Sequence, residues 1–472
     1  MSLLIKNGNI ITSTNEYQAD IYVEDEKIVA IGENLDYKAD ETIDATGKYV
    51  FPGGVDEHVH YNSFNSLGYE HSHAALAGGT TTVGDFVMQP EGVSLKDSVI
   101  NYKRDFVDGV STPDYIFHGI IMDPSDETIE GLKDVPSVGV SSVKVFMAYK
   151  GMPFYVDDEW LFKALQNGKK AGVTIMIHAE NADVVNIRTK QLIEEGKTDV
   201  KYFPKSRPVF AEAEATSRAV YMAKIADAPL FVVHVTNQKA AEVIRQAYNE
   251  GMSVYGETCT HYLMLNDEVF SKPNFEGAKY VCTPPIRPQS DVDFLWEAID
   301  RGWLLAVGSD HCAIVGGFEE GKKKGLKDFS KIPPGSPGVQ DRLNMMWTYG
   351  VEEGKISRQK FVEVCCTNPA KVCGVYPQKG DLIVGSDADI VVFNPEYKGT
   401  IKFEDALMGS DYSTYEGYEQ KGRAEKVFLR GKLMAENGKF VGEKGIGKQA
   451  MSKPYAYSYS KFKEKESLDD NK

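Results

Sequence analysis

Five short segments carry residues able to bind a divalent metal ion: VDEHVH at 55–60, VKVFMAYK at 143–150, VTIMIHAE at 173–180, LFVVHVT at 230–236 and LAVGSDH at 305–311. In four of them the ligand sits near the end of an apolar, β-branched run, where a strand would hand over to a loop. In the lysine segment it closes the run. His58 and His60 form an HxH pair, and alternate residues of a strand face the same side, so both imidazoles would enter one space. Neutral imidazole is a common ligand for zinc and similar ions. An isolated HxH is more often two capping or surface histidines, and His178 or His234 alone would more often be a packed side chain. Their weight comes from occupying equivalent strand ends. Asp310 reads either as a turn or helix-capping residue or, beside a metal-activated water, as a general base and then acid. Gathered at one mouth with Lys150, these residues would make a two-metal hydrolytic site. Lys150 is the weak member, because a free ammonium repels cations and only a modification that made it an anion would fit.

Other histidines lack these signals. His71 and His73 also form an HxH, but they precede AALAGG in an expected helix, where the two side chains diverge by about 200°. His118 and His261 read as structural.

The elements that would position the ligands follow from the pattern around them. Strands are predicted at 55–60, 80–86, 115–121, 142–149, 173–178, 230–235, 252–258 and 304–309, with helical stretches such as DDEWLFKALQNGKKAG and NQKAAEVIRQAYNEG between them. Eight strands alternating with helices suit a (β/α)8 barrel, whose active sites lie at the strands' C-terminal ends. A doubly wound open sheet is the competing architecture. Residues 1–51 and 374–445 share a texture of short strands and turns, which predicts a composite β-sandwich built from both chain ends around a barrel spanning 52–373. The polar segment 446–472 reads as an arm on a neighbouring subunit or a frayed tail.

The chain has 472 residues and a formal charge of −16, and no long basic run precedes the tail, which argues against a nucleic-acid partner. Six scattered cysteines without a CxxC pair predict reduced thiols in a cytoplasmic protein. The opening MSLLIKNGNIITS lacks signal-peptide character, and no window approaches the ~20 apolar residues that cross a bilayer.

Taken as a set, VFPGGVDEHVH, AGGTTTVGDF, KVFMAYKG, IHAEN, VVHVTN, GETCTHYL, NFEGAKYVCTPPIRP, VGSDHC and LIVGSDADIVVFNP resemble the amidohydrolase superfamily, and within it the hydantoinase/dihydropyrimidinase family, over nearly the whole chain. The resemblance implies the barrel with its composite β-domain, a homotetramer, and two divalent ions, with zinc the expected metal, bridged by a carboxylated Lys150. His58, His60, Lys150 and Asp310 would hold one ion, and Lys150, His178 and His234 the other. The implied reaction is hydrolysis of a small cyclic amide, a 5-substituted hydantoin or a dihydropyrimidine, to an N-carbamoyl amino acid. Asp310 would shuttle the proton and Tyr155 would stabilise the oxyanion. Thr283 stands where the family has Ser, in a largely backbone contact. Pro334 stands where a substrate-gripping Asn follows KIP, which removes a backbone donor. The stretch YNSFNSLGYEHSH after His60 also departs from the family. An allantoinase-like or phenylhydantoinase-like activity is the nearest alternative. A non-catalytic dihydropyrimidinase-related scaffold is opposed by the presence of all six ligand positions.

Overall fold

The computed structural model describes residues 2–458. Eight parallel strands form the central sheet, in the order in which they occur along the chain. They are β6 (Gly54–Val59), β7 (Thr80–Met88), β8 (Asp114–Ile120), β9 (Ser142–Phe146), β10 (Thr174–His178), β11 (Leu230–Val232), β12 (Val254–Cys259) and β13 (Ala306–Gly308). The first and last strands meet where Val59 bridges His311 in parallel and His60 N–H donates to the His311 carbonyl at 2.7 Å. The sheet therefore closes on itself as a barrel, and the open-sheet alternative is excluded.

Strand alternation sorts the side chains. Val143, Val145, Ile175, Ile177 and Val232 face the outer layer, packed with helix residues such as Leu161, Ala164 and Ile244. Phe86, Phe146, Met176 and Phe231 belong to a separate cluster that fills the interior. The helices follow simple rules. Helix Gln238–Asn249 buries Ala240, Ala241, Ile244 and Ala247, a three-to-four spacing on one face, and Asn237 caps it by accepting from Ala240 N–H at 3.0 Å. Helix Asp158–Ala171 begins at the cap Asp157 and stops at Gly172, whose φ of 72° suits glycine.

The chain ends do pair. Strands β1 (Ser2–Ile11), β2 (Glu16–Glu24), β3 (Lys27–Gly32), β4 (Glu41–Asp44) and β5 (Tyr49–Pro52) join β14 (Ile390–Thr400), β15 (Glu419–Leu429), β16 (Lys432–Glu436) and β17 (Lys439–Phe440) in one mixed nine-stranded sheet. The junction is β5 against β14, antiparallel, with Val50 opposite Val392. Residues 446–458 do not reach away as an arm. They run across the barrel's N-terminal face, where Tyr115 N–H donates to the Lys448 carbonyl at 3.0 Å and Ala450 N–H to the Tyr115 carbonyl at 2.9 Å. The rest of the expected tail, 459–472, lies outside the described residues. Among the described residues no helix is long and apolar enough to cross a membrane, and all six cysteines are buried and free.

A buried charge network ties the two units together. Lys379 reaches Asp114 at the base of β8 (2.5 Å), Asp387 (2.9 Å) and Asp389 (2.8 Å), and Arg430 also pairs with Asp114. Replacing Lys379 by Met strands the carboxylates without this cation and is expected to cost about 3–5 kcal/mol, read as a lower urea midpoint. An unchanged midpoint would show that the network does not stabilise the seam.

Candidate metal centre and substrate pocket

The C-terminal ends of the strands converge on a cavity of about 340 Å³ lined by His60, Lys144, His178, His234 and Asp310. His58 lies just beneath, fully buried, its Nε2 3.3 Å from Asp310 Oδ1, and His60 Nε2 is 3.5 Å from the same oxygen. The ligand atoms of these three lie within 4.8 Å of one another. The His178 and His234 rings are 4.6 Å apart between centroids, and His234 is 5.5 Å from His58.

Burial controls the protonation of this cluster. It pushes His58 down to about 3 and His60 to about 4, and it lowers His178 and His234 as well. Neutral imidazoles with free lone pairs are what a metal requires. Outer partners fix the tautomers. Glu257 on β12 pairs with His58 Nδ1, which turns Nε2 toward the cavity. Glu180 accepts from His178 Nε2 at 2.7 Å and is itself held by Arg207 at 2.5 Å. Burial works to raise the Asp310 carboxyl, but His58 and His60 outweigh it and hold it well below the ordinary carboxylate range.

The lysine and tyrosine expectations need correction. Lys150 is half exposed, with Nζ 2.9 Å from both oxygens of Asp183, and it does not line the cavity. The lysine in the cluster is Lys144. Strand β9 ends at Phe146 rather than running on to 149, and within it Lys144 alternates with the outward Val143 and Val145, so it points inward. Its Nζ sits 3.0 Å from His58 Nε2 and 4.3 Å above the Phe86 ring. Burial pushes its ammonium down to about 8. A lysine in the middle of the apolar run SVKVF was the signal in the sequence.

Tyr155 likewise stands outside the cavity, partly exposed and bridged to Phe146 through the backbone. Tyr149 lines the cavity instead, and its hydroxyl bonds Thr283 Oγ1 at 2.6 Å. Burial raises its phenol, which keeps the proton on and the group a donor. Tyr149 (φ 65°), His234 (φ 43°) and Asp310 (φ 46°) all adopt left-handed backbone that non-glycine residues seldom take.

Thr283 and Pro334 both line the cavity, and Phe64, Phe146, Met152 and Phe154 give it an apolar wall. The Phe64 ring meets His60 edge-on at 5.4 Å and Phe146 at 5.8 Å. His118 is buried against Ser142 Oγ and the Glu57 carbonyl, away from the cavity. His261 lies beside Cys259 and Asp310.

Sequence reading passed over Lys322. Fully buried, its Nζ donates to the carbonyls of Val281 (2.8 Å), Pro333 (2.8 Å) and Gly335 (2.6 Å). It thereby clamps the two loops that present Thr283 and Pro334. Lys322→Met leaves the Pro333 and Gly335 carbonyls unpaired, while the Val281 carbonyl keeps the Gly335 N–H at 2.9 Å. KM is expected to rise about tenfold, the loss of one such interaction, with metal content unchanged. Equal KM in both proteins would show that the loops hold without the clamp.

The Amidohydrolase family model matches residues 49–434. A D-hydantoinase of Ralstonia pickettii is 44% identical over 461 residues, covering 96% of this chain and 100% of its own. The crystal structure of dihydropyrimidinase from Brevibacillus agri NCHU1002 superposes with a TM-score of 0.93 at 42% identity, covering 97% of this chain and 100% of that one. An L-hydantoinase (dihydropyrimidinase) from Arthrobacter aurescens superposes at 0.87 with 32% identity, covering 95% and 99%. With the barrel, the neutral histidine cluster and these likenesses together, the chain belongs to the amidohydrolase family, in its hydantoinase/dihydropyrimidinase branch.

Proposed function

We propose that this protein hydrolyses the cyclic amide bond of 5-substituted hydantoins or dihydropyrimidines to N-carbamoyl amino acids, using two divalent ions, zinc being the expected metal. The observation that carries this reading is the cluster of four burial-neutralised histidines, Asp310 and an inward lysine at the base of one aromatic-walled cavity, all but His58 lining it. His58, His60 and Asp310 would hold one ion and His178 and His234 the other. Lys144, in place of Lys150, would bridge them as N6-carboxylysine. Its depressed basicity favours the free amine that adds to carbon dioxide, forming an N–C bond and releasing a proton. Bound ions of this kind lower the pKa of water toward ~7 and polarise a carbonyl oxygen.

The rest belongs to the chain's own groups. Asp310 takes up the proton released as water adds to the ring carbonyl and returns it to the leaving ring nitrogen. Tyr149 donates its hydroxyl to the developing oxyanion, with Thr283 orienting it. Pro334 offers no N–H, so the ring is gripped by fewer donors on that side. The wall of Phe64, Phe146, Met152 and Phe154 excludes water and receives the ring substituent.

Turnover on dihydrouracil, dihydrothymine, 5-substituted hydantoins and allantoin by metal-loaded protein tests the reading. Hydrolysis of at least one hydantoin or dihydropyrimidine is expected, and exclusive hydrolysis of allantoin would overturn it. In the same panel, Phe64→Ala is expected to lower kcat/KM about tenfold for an aromatic 5-substituent and to leave unsubstituted rings nearly unaffected. Equal losses across the panel would remove Phe64 from the substituent site.

A further inference from the structure

A second cavity, of about 470 Å³, lies at the seam between the barrel and the mixed sheet and shares no lining residue with the first. Four side chains lining it carry buried polar atoms with no partner: Asp341 Oδ2, Asn344 Oδ1, Gln420 Nε2 and His73 Nδ1, on residues that are 6%, 9%, 8% and 8% exposed. Buried polar groups are rarely left unpaired in folded proteins, so each points to a missing partner. One wall is braced, since the Gln340 amide donates to the Asp405 carbonyl at 3.0 Å and accepts from Leu407 N–H at 2.7 Å. The cleft is therefore a preformed space and not a gap between loose loops.

We propose that this cleft is a second small-molecule site, for a compound with a ureido head and a carboxylate tail. Asp341 Oδ2 and Asn344 Oδ1 accept, Gln420 Nε2 donates, and His73 Nδ1, on a ring that burial keeps neutral, does either according to its tautomer. A ureido group, –NH–CO–NH2, presents N–H donors and one carbonyl acceptor, which answers that set. The tail would meet Arg423, which also lines the cleft, stacks its guanidinium 3.9 Å over the Tyr397 ring and donates to Asn437 at 3.0 Å. Lys439 also lines the cleft. An N-carbamoyl amino acid has both ends, so the ligand's identity, though not the existence of the site, rests on the reaction proposed above. Product held here would report its own accumulation at a distance from the catalytic mouth.

The probe is N-carbamoylglycine, titrated calorimetrically into metal-loaded, full-length protein, with methylurea and acetate supplying head and tail separately. Two binding events per chain are expected. Asn344→Leu, or the near-isosteric Gln420→Glu should the first fail to fold, is expected to weaken one event at least tenfold, the loss of about one buried hydrogen bond. Hydantoin turnover at saturating substrate should be unchanged. A single event, or a second event that neither substitution moves, would overturn the site and leave a cleft holding only water. Binding is read without turnover. A protein inert toward every cyclic amide but retaining the Gln420-dependent event would refute the proposed reaction and keep the site. An active protein with one event would do the reverse.

Discussion

Lys144→Ala is expected to abolish turnover and to lose metal by more than the about 10–100-fold that removal of an outer supporting contact costs, while Lys150→Ala is expected to match the parent in both. The contrast follows from geometry. Lys144 is buried 3.0 Å from His58 Nε2, whereas Lys150 is half exposed on Asp183, an ion pair of the solvent-screened kind that contributes little. Short-chain carboxylates are expected to restore part of the metal content of Lys144→Ala by filling the space left by the side chain. Metal analysis and mass spectrometry of the intact chain decide the matter. An active, metal-loaded protein with Lys144 unmodified, or one inactivated by Lys150→Ala, would reverse the assignment.

The second large effect concerns Asp310. Asp310→Asn keeps the size and one oxygen of the side chain but removes the proton acceptor, so kcat is expected to fall about 10²–10⁴-fold, the contribution of a positioned general base. The four histidines remain, and most of the metal should stay bound. Parental kcat would remove the proton-shuttle role. Loss of metal in proportion to activity would show that Asp310 serves the ion more than the proton.

The histidines and Asp310 were legible because their signal is local: a ligand at the end of an apolar run, on a strand whose neighbours end at the same level. The barrel was legible for the same reason, through eight such runs at suitable spacing. Lys144 and Tyr149 were missed because their signal depends on where β9 stops. With the strand extended to 149, the last lysine looks like a strand-end ligand. With the strand ending at Phe146, alternation turns Lys144 inward, and Tyr149 enters the cavity from a left-handed turn. One boundary, wrong by a few residues, thus displaced both expectations onto Lys150 and Tyr155. Lys322 left no pattern to find, since its partners are backbone carbonyls from two loops distant in sequence. The seam cleft is of the same kind, assembled from residues that sequence spacing does not relate.

The left-handed backbone at Tyr149, His234 and Asp310 bears on how such a protein can drift. Each position holds a side chain in a conformation that costs on the order of 1–3 kcal/mol and that glycine would adopt freely. Glycine there would also take the side chain out of the cavity. Glycine would relieve the backbone, but at Tyr149 and His234 it would also remove rings packed against Phe154 and His178, a loss of about 2–5 kcal/mol for large buried side chains. Backbone relief and side-chain packing therefore oppose each other at these positions, and drift away from them is held back by packing as well as by function.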